Sequence, residues 1–422
     1  MLPPMSRHSE ISSSQVVRSV TESLASIDFS GKRVLLIVPD STRTAPVGLM
    51  FKSILLALQG RATAVDVMIA LGTHPPMSEE AICKRLDIVP SQRSMTYGSV
   101  RFLNHAWDDP DQLVKLGTIP ASEIGELSGG RFAIDVDVTI NRAALEYDHL
   151  LIVGPVYPHE VVGFSGGSKY LFPGISGPEL LNFFHWLGAV ISTPKIIGRK
   201  MTPVRQVIER AAAMVPTPVH AFCLAVQDGR LVNLVFGKPV DAWSRAADWS
   251  ADLHVIRKQK PFHTVIACAP TMYDEMWVGG KCMYKLEPVV ADGGELIIYA
   301  PHLTEISRVH GKTIERIGYH VRDYFLAQWD TFKDEPWGIL AHSTHVRGIG
   351  TYVDGVESPR ITVTLATAIP EEVCRRVNLT YRDPNSIDVR SYENREDEGI
   401  LVVPHAGETL YELEEPPEWA RS

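Results

Sequence analysis

The sequence predicts an α/β protein: two α/β domains with mainly parallel sheets and an active-site cleft between them. Three observations predict it. Strand-length β-branched runs alternate with helix-period segments, as in βαβ units. The stretches rich in glycine, proline and histidine fall at the ends of those runs. A polar, Trp-containing stretch from Val240 to Pro261 separates two such blocks. The expected division is 1–255 and 256–399, with the tail 400–422 packing back on the first domain.

Val34 to Val38 is a continuous apolar run, which suits a strand buried on both faces of a parallel sheet. Gly48 to Gln59 follows with helical spacing and stops at Gly60. Ala64 to Leu71 is a second strand, ending at Gly72, Thr73 and His74. Ser78 then opens a helix whose first turn is acidic. His149 to Val153 is a third strand, running into a Gly/Pro-rich segment and a helix over Glu179 to Val190. In the second block, Thr264 to Ala269 and Glu295 to Tyr299 read as strands, with a short helix starting near Lys281.

Composition narrows the function. The 422 residues are 45% hydrophobic and 22% charged, enough to build a sizeable core. The net charge of −9 and the lack of a dense Lys/Arg block argue against a nucleic-acid partner. The five cysteines are widely spaced without a CxxC pair, so neither a disulfide framework nor a thiolate zinc site is expected. Met1 to Val20 is polar and Ser-rich, and no apolar run reaches membrane-spanning length. A cytoplasmic protein without a membrane anchor is expected.

Open α/β sheets bind ligands beyond the carboxyl ends of their strands. Three such ends carry Asp40 to Arg43, Gly72 to His74, and the segment with His159 and Lys169. Ser165 to Lys169 offers unhindered backbone N–H groups, hydroxyls and one amine, which suit an anion; a tight turn with a solvated lysine fits equally. The spacing is not that of a P-loop. His74 and His159 are flanked by prolines that fix the backbone, as an acid/base group requires; ordinary surface or core histidines are the plainer reading. His185, among Phe183, Phe184, Trp186 and Leu187, is either a satisfied buried histidine or a metal ligand. Asp40 and Ser41 could cap a helix, and Arg43 could grip a carboxylate.

In order and content, these blocks resemble the nickel-dependent lactate racemase family, which racemises or epimerises 2-hydroxyacids with a nickel-pincer nucleotide. The resemblance rests on Asp40-Ser-Thr-Arg43, on Gly72-Thr-His74 with the following Pro-Pro-Met and Glu-Glu, and on Pro158-His159 through Lys169, with His185 beyond. The C-terminal half matches more loosely, through Lys281 and Gly293-Gly294. It implies a pyridinium mononucleotide holding nickel between sulfur, carbon and sulfur, attached covalently at Lys169 and cradled by Gly166, Gly167 and Ser168. His185 completes the metal's coordination, and His74 and His159 are the paired acid/base groups. Asp40, Ser41, Thr42 and Arg43 contact the cofactor, and Arg43 and Lys281 grip the substrate carboxylate. Lys285, one turn on, competes with Lys281 for that role. Val278-Gly279-Gly280 stands where the lactate enzymes are expected to carry a polar amide, which bears on the substrate. Trp337 either lines the pocket or packs in a core. Implied partners are a small 2-hydroxyacid and the enzymes that make the cofactor.

Two other classes fit the same residues. One is a zinc hydrolase using His159, His185 and His74. The other is a non-catalytic protein that binds a nucleotide or hydroxyacid; a pair of placed histidines is more than binding alone needs.

Overall fold

The structure, a computed structural model, describes residues 9–421; the start of the polar N-terminal stretch, residues 1–8, and residue 422 lie outside the described residues. Two compact units form. The first comprises residues up to 157, 165–181 and 205–253; the second comprises 158–164, 182–204 and the chain from 254 on. The division is less simple than a boundary near 255, because two segments from the middle of the chain group with the second unit.

The first unit is built on a six-stranded sheet: β1 (Arg33–Pro39), β2 (Ala64–Ala70), β3 (Phe102–Asn104), β4 (His149–Pro155), β5 (Val219–Gln227) and β6 (Arg230–Gly237). The order is β6-β5-β4-β1-β2-β3, parallel except for the β5–β6 hairpin. β1 is central, and Val34 to Pro39 are all buried, which is why its sequence is apolar without alternation. Helices α1 (Ser13–Ala25) and α2 (Val47–Leu58) contribute Val16, Val20, Leu24, Met50, Phe51 and Ile54 to the core beside Val34, Leu36 and Val38. α1 starts at a capping box, with Ser12 and Gln15 each satisfying the other's backbone N–H. α2 ends before Gly60, whose φ of +72° is a glycine conformation.

The second unit holds a five-stranded parallel sheet: β7 (Phe262–Cys268), β8 (Val290–Ala300), β9 (Thr362–Thr367), β10 (Thr380–Tyr381) and β11 (Ile400–Val403), in the order β10-β9-β8-β7-β11. Late segments of the chain complete the second unit: Ile400–Val403 pairs with β7, Leu410–Leu413 pairs with Val255–Lys258, and Glu412 meets Arg199 at 2.9 Å. The physical reason is that β7 has an open edge, and Ile400 to Val403 is an apolar run able to fill it. No helix among the described residues is long and apolar enough to cross a membrane.

Candidate active site

The first unit's sheet reverses direction at β1. The chain steps outward from β1 to β2 and β3, then returns to the opposite side of β1 for β4. A crevice at such a reversal, beyond the carboxyl ends of the strands, is where open α/β sheets bind ligands. Asp40 to Arg43 follow β1, Gly72 to His74 follow β2, and Ser165 to Lys169 lie on the segment after β4. Hydrogen bonds join the three ends. His74 Nδ1 lies 2.5 Å from Asp40 Oδ2. The Tyr157 hydroxyl donates to the Thr44 carbonyl at 2.9 Å, and Gly72 N–H donates to the Gly174 carbonyl at 3.1 Å.

The Asp40 carboxylate is wired on both oxygens. Oδ1 accepts from Thr42 N–H at 3.0 Å and from the Thr42 hydroxyl at 2.7 Å, while Oδ2 faces His74. Burial alone pushes this carboxyl up. The charge and hydrogen bond of His74, the Thr42 bond and the charge of Arg43 outweigh it and hold Asp40 well below the usual carboxylate range. An ionised Asp40 that accepts from Nδ1–H fixes the ring and its tautomer, leaving Nε2 as the proton carrier. His74 keeps 28% of its side chain exposed, so that nitrogen can meet a ligand.

Lys169 lies in a single 3-10 turn, Gly167–Tyr170. Of the residues Ser165 to Tyr170 it alone is not buried. Gly166 (φ +89°) and Gly167 (φ +59°) carry the chain through conformations that suit glycine. The polar atoms of their neighbours point inward: the Ser165 hydroxyl accepts from Tyr157 N–H at 2.9 Å, and the Ser168 hydroxyl donates to Glu209 at 2.6 Å. Within this turn, Lys169 is therefore the one side chain that is not fully covered.

The remaining candidates belong to the second unit. His159 occupies a two-residue strand, Pro158–His159, paired with Gly163–Phe164, rather than a loop. Gly163 allows this hairpin, since a Cβ there would fall 1.8 Å from the Arg199 carbonyl oxygen. His159 is buried, with Nδ1 3.2 Å from the Val161 N–H nitrogen and 3.1 Å from Glu160 Oε2. The amide is a donor for the neutral ring, and the carboxylate is a partner for the charged one. His185 lies on the helix Pro178–Ile191, stacked on Phe184 at 4.6 Å, and is only partly buried.

The second sheet also reverses, between β7 and β11. There Tyr273, after β7, packs where a Cβ at Gly407 would lie, and Lys281 Nζ stands 4.8 Å from the centre of the Tyr273 ring. Lys285 is buried, and its amine donates to the Glu408 carbonyl at 2.7 Å. Trp337 opens the helix Trp337–Arg347 and donates its indole N–H to the Lys333 carbonyl.

Two groups escaped the sequence reading. Arg85 donates to the carbonyls of Pro39, Arg43 and Ala45, bracketing the Asp40 loop; in sequence it is only a base in a helix's last turn, where the macrodipole accounts for it. Arg205, Glu209 and Trp243 support the Lys169 loop from positions 36 or more residues away, without a local signal.

The chain was compared with known proteins. The family description "Lactate racemase N-terminal domain" matches residues 9–196. A lactate racemase of Lactiplantibacillus plantarum is 29% identical over 166 residues, 38% of this chain and 34% of that protein. A lactate racemase of Thermoanaerobacterium thermosaccharolyticum is 26% identical over 301 residues, 66% of this chain and 62% of its own length. The aligned region thus spans less than two thirds of either relative. Among solved structures, a protein from Thermotoga maritima superposes with a TM-score of 0.88 at 30% identity, covering 97% of this chain and 100% of that one. The lactate racemase apoprotein of T. thermosaccharolyticum shares the fold, with a TM-score of 0.71 at 19% identity over 96% and 93% of the two chains. Residues 9–196 belong to the lactate racemase N-terminal domain family.

Proposed function

We propose that the protein is a racemase or epimerase of a 2-hydroxyacid that works with a nickel-pincer nucleotide held at Lys169. The observation that carries the reading is the pairing, at one sheet reversal, of a carboxylate-oriented imidazole, His74, with a buried turn in which Lys169 alone keeps some exposure.

The donor chemistry of the chain fits that group. Burial pushes the thiols of Cys223 and Cys282 up to about 12 and those of Cys268 and Cys374 up to about 11, so these four are protonated at neutral pH and poor metal ligands. Soft sulfur donors must then come with the cofactor. Lys169 would hold it, and His185 would supply one imidazole to the metal.

When bound, the cofactor supplies a reversible hydride acceptor, so that the reacting carbon passes through a planar 2-keto acid. The chain's own residues do the rest. Arg43 and Lys281 bind the substrate carboxylate; Lys281 takes this role over Lys285, whose amine is committed to Glu408. One imidazole removes the hydroxyl proton and the other returns a proton on the opposite face, because the hydroxyl points oppositely in the two enantiomers. His74 and His159 are those two groups, each with a partner on its Nδ1. The zinc-hydrolase alternative needs three protein side chains around one ion; among the described residues no three His, Cys, Asp or Glu side chains are so gathered.

The test is to co-produce the chain with cofactor-maturation enzymes and incubate it with single enantiomers of lactate, malate, aromatic and sugar-derived 2-hydroxyacids. Chiral chromatography should show interconversion of at least one pair, and the intact mass should show an adduct that maps to Lys169. No interconversion with adduct-bearing protein, or an adduct on another residue, overturns the reading.

A further inference from the structure

The turn that carries Lys169 is gripped from behind by an ion pair, fully buried on its Arg205 side, and an indole. Arg205 has no exposed surface, and its guanidinium lies 3.6 Å from the centre of the Trp243 ring. Its Nη1 donates to the Gly166 carbonyl at 3.1 Å, and its Nε lies 2.8 Å from Glu209 Oε1. The second oxygen of Glu209 accepts from the Ser168 hydroxyl at 2.6 Å, and Trp243 Nε1 donates to the Ser165 carbonyl at 3.0 Å. Ser165, Gly166 and Ser168, three of the four residues that precede Lys169, are therefore each bound. The fourth, Gly167, is pressed flat: a Cβ there would lie 2.7 Å from Trp243 Cβ and 2.8 Å from Arg205 Nη2.

Stability alone does not account for this arrangement. Burying the Arg205 guanidinium costs desolvation that an ion pair only partly offsets, and apolar side chains of similar volume often do as well or better. What such side chains cannot supply is direction. The guanidinium and the carboxylate select one path through Gly166 and Gly167, and that path sends the Ser168 hydroxyl inward and leaves Lys169 the least buried residue of the turn.

We propose that Arg205 and Glu209 are positioning residues that hold the Ser165–Ser168 turn so that the Lys169 amine is presented for cofactor attachment. This rests on the reading of Lys169 given above. The two residues touch neither substrate nor cofactor; they act through the turn.

The full-length chain, produced with and without the maturation enzymes, tests this in two variants. The double variant Arg205→Met with Glu209→Leu keeps the volume and removes the directional bonds; Ser168→Ala removes one bond. In the double variant Tm is expected to hold or rise, while amide hydrogen exchange over 166–171 speeds up roughly tenfold or more in the cofactor-free protein. Adduct occupancy at Lys169 is expected to fall to about a tenth of the wild-type level, the lower end of what orienting groups command. Unchanged exchange together with full occupancy overturns the proposal, as does a loss of adduct that merely follows a loss of Tm. If the double variant does not fold, Ser168→Ala decides: faster exchange over 166–171 at wild-type Tm supports the clamp, and unchanged exchange overturns it. A wild-type protein that acquires no mass at Lys169 sinks the functional reading instead, and the exchange data still judge the clamp.

Discussion

His74 and His159 do the same job in the proposed reaction, yet the two units hold them differently. His74 stands at a strand end, partly exposed, backed by a carboxylate that is itself held by Thr42 and by the charge of Arg43. His159 is buried in a hairpin and backed by a backbone amide, with a carboxylate from the adjacent residue. The first arrangement fixes tautomer and orientation by charge; the second fixes orientation by chain geometry. One imidazole can therefore be loosened by removing a single remote carboxylate, and the other cannot.

The comparison can be broken most directly by His74→Ala and His159→Ala. Each should lower racemisation in both directions by roughly 10² to 10⁴, the range for a lost acid/base group. A nearly wild-type rate in either variant, read by chiral chromatography, removes that histidine from the pair.

Next comes acid stability. Burial holds His105 of the first unit down at about 4 and His345 of the second at about 3, against an ordinary 6.5. Both fold as neutral rings, so their contribution is full above about pH 6.5 and is lost as the pH falls towards those values. For His105 the loss is on the order of 3 kcal/mol at about 1.4 kcal/mol per pH unit. Thermal unfolding from pH 7 to 4 should show it, and His105→Gln should flatten the slope. Asp40 has a lowered value too, so its contribution persists down to the ordinary carboxylate range and is lost only below about pH 4.

Asp40→Asn should cost roughly ten- to a hundredfold in rate, the range for groups that orient a histidine, with the fold retained at neutral pH. Glu160→Gln should cost less than about threefold, because the Val161 amide still fixes the ring. Equal losses in these two variants would show that both histidines are held by charge after all.

Much of the first unit was legible because strand burial leaves a chemical trace. β1, β2 and β4 are apolar runs, and the residues after them bear chemistry. The hairpin of β5 and β6 went unread although Asp228 (φ +50°) and Gly229 (φ +78°) form the Asp-Gly turn that announces one. The pairing of β11 with β7 was illegible because more than 130 residues separate the partners, and an apolar run does not name its neighbour. The same limit hid the supports of the site. Asp40, His74 and Lys169 could be picked out as candidates by type and position, but the contacts of Arg85, Arg205 and Glu209 exist only after the chain has closed on itself.

Arg85 carries one more implication. It grips the Asp40 loop through three main-chain carbonyls and no side chain. The path of that loop and its chemistry are thus held by different groups: Arg85 fixes the main chain, while Thr42 fixes the Asp40 carboxylate. A change in the Ser41 side chain would leave that main-chain frame in place.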